Sequence, residues 1–483
     1  MRSVFLLLAC ALFAFAGELQ DDLAARRARL IEKLGPGTLF LVRSAPHRVY
    51  SLDVEHEYRQ DSNFYYLTGI EEPDSTLVLM PGNNGRKQFL FLPPKDATVE
   101  HWNGKRLTPE EGKALSAIPD VHSNADLEPF LEAVLSGRPW FTHRRAPRPP
   151  DFDPFLDAVH RGEARLAIAL DQPLQISGPI NPLLAFANDL RDRFPGITVT
   201  NATRHVHALR QVKSTYERRM LTRSAEVSSE AHRAGMRAAK PGASEYEVKA
   251  AIEEVYRRRG ALSPGYPSIT GSGANATILH YAKAGRRMDA GDLMLVDAAA
   301  NTDYYTVDIT RTYPVNGKFS QAQKDIYNLV LEAQNEAMRL AKPGSKPYDL
   351  HRKTEDVIKA GLLRLGLITD ASGEQFRTWY THGAVHYLGI DVHDVGDPNV
   401  PLAPGHAFVI EPGIYIRPDA LDTLPKTDEN LDFIRKVKPA FEKYKGLGIR
   451  IEDSFLLTET GLDWLSKSVP RTIEEIEAFL ARR

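Results

Sequence analysis

In the C-terminal half of the sequence, four acidic residues interrupt or follow apolar runs that have the length of buried strands. An ionised carboxylate in such a place is costly unless it is paired or bound to a metal ion. Any one of the four could be a strand-end or outward-facing side chain, but four in one region favour a shared site. They are Asp297 after residues 293–296, Asp308 within 305–310, Glu411 after 407–410 and Glu452 within 448–453.

Histidines lie close to these carboxylates in the sequence. Residues 381–394 contain His382, His386 and His393, three of the 15 histidines of the chain. His382 and His386 have the spacing of a zinc-binding HExxH helix, but Gly383 stands where that motif has glutamate. A lone histidine is more often structural, whereas three beside four carboxylates favour a metal site.

The charges of these groups indicate how many metal ions would bind. Four ionised carboxylates carry a charge of about −4, which two divalent cations would offset, and one neutral histidine would complete the ligand set. Oxygen-rich ligation with a single imidazole favours Mn(II), with Co(II) or Zn(II) as alternatives. Two ions roughly 3.5–4 Å apart would deprotonate a shared water at neutral pH. The residues therefore predict hydrolytic chemistry at a site with two metal ions.

The elements that must position these groups are two pairs of helices and the strands that follow them. The pattern predicts helices over residues 214–239 and 244–259, and again over 321–341 and 348–365. Ser244 and Glu247 form a capping-box pattern at the start of the second helix. The tetrapeptide Ala-Lys-Pro-Gly occurs at 239–242 and at 341–344, in each case between two helices. This recurrence indicates an internal duplication.

The region before these helices reads as a separate α/β unit. Residues 21–34 have the pattern of an amphipathic helix, and residues 37–42, 75–80, 88–92 and 166–170 read as strands. We therefore predict an α/β (α+β) fold with an N-terminal α/β domain over residues 17–205 and a catalytic domain over 206–483. A chain of 483 residues is long enough for more than one domain.

The first 16 residues have the features of a secretory signal peptide. A short basic start precedes the apolar run 4–15, and Ala14 and Ala16 supply the small residues that signal peptidase accepts. The run is shorter than the about 20 residues that span a bilayer. We predict cleavage after Ala16 and export to the periplasm or the medium. Cys10 also fits a lipobox, so a lipoprotein is one alternative, and an uncleaved anchor or a misassigned start is another.

Overall composition narrows the function classes further. The 61 basic and 63 acidic residues nearly cancel, so the charge gives no indication of a nucleic-acid partner. Cys10 is the single cysteine, which excludes an internal disulfide framework and a cysteine-ligated zinc site.

The phrases around the acidic residues resemble those of the pita-bread metallopeptidases, and most of all Xaa-Pro aminopeptidase (aminopeptidase P). The N-terminal region shares the resemblance, so that it covers nearly the whole chain after the signal peptide. The phrases are DITRTYPVNG at 308–317, GIDVHDVG at 389–396, EPGIY at 411–415, GIRIED at 448–453 and RQDSNFYYLTG at 59–69.

This resemblance implies a pita-bread catalytic domain and a role for each candidate residue. Asp308 and Glu452 would bridge the two ions. His280, in SGANATILHY at 272–281, and His393 match histidines on the substrate side, and His382 matches one at the pocket rim. The implied metal ligands are Asp297 and Asp308 for one ion, and Asp308, His386, Glu411 and Glu452 for the other.

The activity implied is release of the N-terminal residue from peptides with proline in second position. A hydroxide bridging the metals would attack the carbonyl before proline, and Glu411 would relay the proton to the leaving nitrogen. His280 and His393 would stabilise the reacting carbonyl. Arg450 would position the carboxylates or the substrate.

Trp102, in EHWNGKR at 100–106, resembles a residue on a loop that reaches the site of a neighbouring subunit in oligomeric members. The resemblance therefore implies a homo-oligomer, a dimer or a tetramer. The alternative for Trp102 is a surface-loop aromatic that packs within its own domain.

Two other functions stay open at this point. A dipeptidase of the prolidase type shares the metal ligands, and the long segment 416–446, with its helix-like part at 430–443, could cap the cleft and exclude longer peptides. A non-catalytic pita-bread peptide-binding module is disfavoured, because such relatives usually lose metal ligands and all five implied ligands are present in this sequence.

Overall fold

The computed structural model describes residues 2–138, 140, 150–170, 177–261 and 263–482, without the side chains of residues 2–16 and 150. The chain divides into two units, residues 1–210 and 211–483. The sequence placed the domain boundary five residues earlier, after residue 205.

Within the described residues, the first unit contains a mixed sheet and the helices that accompany it. Its helices are α1 (Arg2–Leu34), α2 (Ser62–Thr68), α3 (Ala97–Asn103), α4 (Pro109–Ser116), α5 (Leu127–Leu135), α6 (Asp153–His160), α7 (Pro182–Arg193) and α8 (Thr203–Gln211). Its strands are β1 (Thr38–Arg43), β2 (Val49–Ser51), β3 (Val54–Glu55), β4 (Thr76–Leu79), β5 (Gln88–Leu92), β6 (Asp120–Ser123), β7 (Ala164–Ile168) and β8 (Ile197–Asn201).

The sheet has the strand order β6-β5-β4-β1-β7-β8. Strands β1, β7 and β8 pair in parallel, as do β5 and β6, whereas β4 is antiparallel to β1 and β5. Strands β1 and β4 are apolar along almost their whole length because both faces of the sheet are covered. The strands predicted at 37–42, 75–80, 88–92 and 166–170 are confirmed as β1, β4, β5 and β7.

Helix α1 runs from Arg2 to Leu34 and so includes the predicted cleavage position after Ala16. The side chain of Cys10 lies outside the described part of this helix, and the signal peptide and the lipobox stay predictions. Within the described residues, no helix is both long and apolar enough to cross a membrane.

The second unit contains two helix pairs and short antiparallel sheets. Its helices are α9 (Thr215–Ala238), α10 (Glu245–Arg258), α11 (Gln321–Leu340), α12 (Pro347–Arg364), α13 (Asp428–Tyr444) and α14 (Ile473–Leu480). Its strands are β9 (Ile269–Ser272), β10 (Leu293–Asp297), β11 (Thr310–Pro314), β12 (Ala407–Ile410), β13 (Gly413–Tyr415), β14 (Gly448–Arg450), β15 (Asp453–Thr458) and β16 (Gly461–Trp464).

The two helix pairs occupy the positions that the sequence predicted. Ser244 N–H donates to Glu247 Oε1 at 2.9 Å, which is one half of the predicted capping box. Each pair precedes antiparallel strands, in the order β11-β10-β9 after α9–α10 and β12-β15-β16 after α11–α12. The order of elements thus recurs, as expected for an internal duplication. A bridge between Thr310 of β11 and Glu452, which lies between β14 and β15, joins the two halves.

The long segment 416–446 contains helix α13, which confirms the predicted helix at 430–443. Its apolar face, with Phe433, Val437 and Phe441, is buried in the core of the second unit. At its end, the Lys443 ammonium and the Tyr444 hydroxyl donate to Asp325 of α11 at 2.8 and 2.9 Å. The apolar side of the helix is therefore used for packing within the unit.

Candidate metal centre

Each of the four carboxylates lies where a strand ends or is interrupted. Asp297 is the last residue of β10, Glu411 follows β12, and Glu452 lies between β14 and β15. Asp308 lies two residues before β11, which begins at Thr310. A residue at a strand end escapes the strict alternation of faces, so its side chain can turn toward a common centre.

The strand expected over residues 305–310 is wrong for residues 306–309, which are irregular, while Tyr305 forms an isolated bridge with Thr302. Two of their backbone N–H groups bond to serine hydroxyls. Val307 N–H donates to Ser224 Oγ at 3.1 Å, and Asp308 N–H donates to Ser454 Oγ at 2.9 Å. Hydroxyl groups that accept backbone N–H bonds offer an alternative to strand pairing.

The structure brings all five predicted metal ligands together. His386 Nε2 lies 3.6 Å from Asp308 Oδ2, 3.6 Å from Glu411 Oε1 and 3.7 Å from Glu452 Oε1. Donor atoms of Asp297, Asp308 and Glu452 lie within 4.8 Å of one another. A second group with the same spacing joins Asp308 and His386 to His393.

The electrostatics of the cluster fit bound cations. Burial, together with the charge of Glu452, raises the pKa of Asp308 and of Glu411 well above the ordinary value. Asp297 Oδ1, His386 Nε2 and Glu452 Oε1 are buried without a hydrogen-bond partner among the described residues. Buried polar atoms normally have a partner, so these three suit coordination to divalent metal ions.

Arg450 holds one side of the cluster in place. Its buried guanidinium donates to Asp297 Oδ2 at 2.5 Å, to Tyr415 Oη at 2.8 Å and to Thr310 Oγ1 at 3.1 Å. Thr310 Oγ1 in turn donates to Glu452 Oε2 at 2.7 Å. Burial would raise the pKa of Asp297, but the charge of Arg450 lowers it below the ordinary value. This geometry favours the first of the two predicted roles of Arg450, which is to position the carboxylates.

The three other predicted histidines lie in the same unit as the cluster. His382 Nε2 lies 2.8 Å from Tyr415 Oη, and His382 Nδ1 lies 3.7 Å from Glu411 Oε2. Burial, with the charge of Arg450, lowers the pKa of His382 to about 3. The rings of His393 and His386 are 4.4 Å apart, and His280 is an exposed residue. Burial, with the charges of His386 and His280, lowers the pKa of His393 to about 4.

Comparison with known proteins identifies the family. Residues 219–459 match the sequence model of metallopeptidase family M24, and residues 23–141 match that of the aminopeptidase P N-terminal domain. Xaa-Pro aminopeptidase of Escherichia coli K12 is 33% identical to the chain, over 95% of this chain and 98% of that protein. The chain belongs to metallopeptidase family M24.

Solved structures agree with this assignment over the whole length. Pseudomonas aeruginosa aminopeptidase PepP superimposes with a TM-score of 0.81 and 34% identity, covering 96% of this chain and 98% of that one. Zinc-substituted E. coli aminopeptidase P in complex with product gives a TM-score of 0.79 and 31% identity, with the same coverage. This M24 protein is therefore a hydrolase and a metal-dependent exopeptidase, with the predicted N-terminal α/β domain and pita-bread catalytic domain.

Sequence reasoning missed some residues that hold the site of this M24 peptidase. The Tyr266 hydroxyl donates to Asp308 Oδ1, and Tyr415 links His382 to Arg450. Tyr415 lies inside the EPGIY phrase and could have been noticed there. Tyr266 follows Pro264 and Gly265 in a loop and carries no such signal.

Trp102 is the predicted site residue that lies in the first unit. It is near the end of α3, and its side chain is 80% exposed. This exposure disfavours the alternative that Trp102 packs within its own domain.

A buried ion pair lies next to Glu452, a member of the donor cluster. The Arg311 guanidinium is 2.6 Å from Asp453 Oδ1, and both side chains are fully buried. Arg311 also donates to the Glu452 carbonyl at 2.6 Å, and Asp453 accepts from Ser466 Oγ at 2.5 Å. The pair therefore connects the start of β11 to the Glu452 carbonyl and to the next residue, Asp453.

Breaking this pair should destabilise the fold strongly. We expect Arg311→Met to lower the free energy of unfolding by about 3–5 kcal/mol, because it removes the close cation from the buried Asp453 carboxylate and leaves Arg471 at 3.9 Å. Urea titration of both proteins measures the change. Arg364→Met is the control, since Arg364 pairs with Glu332 at 3.5 Å on the surface and should contribute about 0–1 kcal/mol. Equal effects of the two substitutions would contradict the prediction.

Proposed function

We propose that this M24 peptidase is an Xaa-Pro aminopeptidase, which releases the N-terminal residue from peptides with proline in second position. The observation that carries the proposal is the complete donor cluster of four carboxylates and His386 in the second unit. The match to Xaa-Pro aminopeptidase over 95% of the chain supports it, because the match includes the N-terminal domain.

The residues present would hold two divalent metal ions, for which we propose Mn(II), with Co(II) or Zn(II) as alternatives. Asp297 and Asp308 would bind one ion, and Asp308, His386, Glu411 and Glu452 the other. When bound, the ions would lower the pKa of a shared water to yield a hydroxide nucleophile and would polarise the carbonyl that precedes proline.

Glu411 would move a proton during this reaction. Its Oε1 faces the ligand His386 at 3.6 Å, and its Oε2 faces His382 at 3.7 Å. Glu411 Oε1 could thus bind a metal ion while Oε2 accepts a proton. Glu411 could then pass that proton to the proline nitrogen as it leaves.

His280 and His393 would donate hydrogen bonds to the reacting carbonyl oxygen as negative charge develops on it. His393 lies beside the proposed ligand His386, and from this position it could donate such a bond. His382, held by Tyr415, would form the rim of the substrate pocket. Arg450 would act through Asp297, whose carboxylate it orients.

Trp102 supports a proposal about assembly. A tryptophan that is 80% exposed near a helix end is a suitable contact for a second chain. We propose that the protein forms a homo-oligomer, a dimer or a tetramer, in which Trp102 contributes to substrate binding.

The peptide length that the enzyme accepts tests the proposal. We expect similar kcat/KM values for Xaa-Pro-Yaa tripeptides and for a longer Xaa-Pro peptide, because the apolar face of α13 packs in its own unit. Mass spectrometry of the products identifies the bond that is cleaved. A matched peptide with alanine in place of proline is the control and should be a poor substrate. Cleavage confined to Xaa-Pro dipeptides would make the protein a prolidase, and no cleavage would favour a binding module.

We also propose that the protein is exported. The apolar run 4–15 and the small residues before Gly17 predict a mature chain that begins at Gly17 and has no cysteine. Intact-mass analysis of protein from the native host measures this directly. A lipid-modified Cys10 would support the lipobox instead, and a full-length chain would contradict both.

A further inference from the structure

A second buried ion pair lies next to the loop that joins His386 to His393. Lys213 Nζ is 2.8 Å from Asp394 Oδ2, and the two side chains are 0% and 1% exposed. Neither residue belongs to the donor cluster. Burying two charges costs free energy, and apolar side chains of similar size often stabilise a fold as well or better. Stability alone therefore gives a poor explanation of this pair.

The loop is folded tightly around the Asp394 carboxylate. Asp394 N–H donates to the Tyr387 carbonyl at 2.9 Å, and Gly389 N–H donates to the Asp391 carbonyl at 3.1 Å. A Cβ atom at Gly389 would lie 1.9 Å from Asp394 Oδ2 and 2.9 Å from Lys213 Nζ. The loop backbone therefore rests directly on the ion pair.

Hydrogen bonds within the second unit hold both Lys213 and the histidine loop in place. Lys213 N–H donates to the Gly405 carbonyl at 2.8 Å, and Arg218 Nε donates to the Lys213 carbonyl at 3.0 Å. Across the loop, Thr306 N–H donates to the Gly389 carbonyl at 3.0 Å, two residues before the metal ligand Asp308. The pair thus connects a fixed lysine, the histidine loop and the segment that leads to a ligand.

We infer that Lys213 and Asp394 are positioning residues, which fix the His393 imidazole relative to His386. Asp394 is adjacent to His393 in sequence, and the two histidine rings are 4.4 Å apart. The inference rests on the proposed function, in which His393 contacts the reacting carbonyl. The ion pair acts on that contact through the loop and touches no substrate.

The test uses two kinds of variant in two backgrounds. Lys213→Met/Asp394→Leu replaces the pair by apolar side chains, and Asp394→Asn weakens it while keeping its size. Each is made in the wild-type protein and in His393→Ala. We expect kcat/KM for an Xaa-Pro-Yaa peptide to fall about 100-fold in the double variant and about tenfold in Asp394→Asn, because small misplacements of a catalytic contact have effects of this size. In His393→Ala the same changes should have no further effect, since the positioned group is gone.

A second measurement does not depend on activity. Hydrogen exchange of the amides in residues 386–396 should be about tenfold faster in both variants, because the loop opens more often. Lys318→Met is the matched control, since it removes a 2.8 Å ion pair with Glu477 at the surface. It should leave kcat/KM and the exchange of the loop unchanged.

Three results would overturn the inference: wild-type kcat/KM in the variants, an equal loss with and without His393, or unchanged exchange in residues 386–396. If the double variant does not fold, Asp394→Asn decides between the outcomes. If the wild-type protein cleaves no Xaa-Pro peptide, the proposed function fails, and the exchange measurement alone decides whether the pair holds the loop.

Discussion

Glu411→Gln should lower kcat by about 10²- to 10⁴-fold, which is the usual contribution of a positioned general acid or base. The amide keeps the size of the side chain and one oxygen that can face His386, but it cannot take up and release a proton. Steady-state kinetics on an Xaa-Pro-Yaa peptide measures the effect.

Two controls separate proton transfer from other losses in this variant. Metal analysis of Glu411→Gln shows whether the ions are still bound, so that kinetics are compared at equal metal content. Glu459→Gln makes the same chemical change at an exposed turn between β15 and β16 and should have wild-type kcat. Near-normal turnover of fully loaded Glu411→Gln would refute the proton role of Glu411.

Removal of the metal ions should abolish hydrolysis completely. Chelated protein should be inactive, and activity should return as about two Mn(II) ions bind per chain. The physical reason for this dependence is the negative charge of the site. Its four carboxylates lie close together and are largely buried: Asp297, Asp308, Glu411 and Glu452. Without cations, repulsion and burial keep the pKa values of Asp308 and Glu411 high, and no group in the cluster replaces the metals in activating water.

Metal titration followed by plasma mass spectrometry gives the number of ions, and parallel assays give the activity at each step. Binding to the folded state alone should also raise the free energy of unfolding, by about 2.7 kcal/mol at a free metal concentration 100 times Kd. Reloading with Co(II) or Zn(II) compares the alternatives. Full activity in a metal-free sample, or saturation at one ion per chain, would contradict the dinuclear site.

The sequence by itself identified the residues that form the candidate metal centre and most of the elements that carry them. Asp297, Glu411 and Glu452 could be identified because each stands beside a run of apolar residues whose length and pattern predict a strand. The helix pairs could be predicted because their periodicity, their caps and the repeated Lys-Pro-Gly breakers are all local features of the chain. Local patterns were therefore enough to place the strands beside these three carboxylates.

Only the tertiary structure decided how these side chains are held. Arg450 and Asp297 are 153 residues apart in sequence, and Lys213 and Asp394 are 181 apart, so no local pattern could pair them. The same reason explains the irregular segment before β11. Its residues have the composition of a strand, but hydroxyl groups of Ser224 and Ser454, distant in sequence, take its backbone N–H groups. Propensity describes what a segment prefers alone, whereas the partners available in the folded chain decide what it adopts.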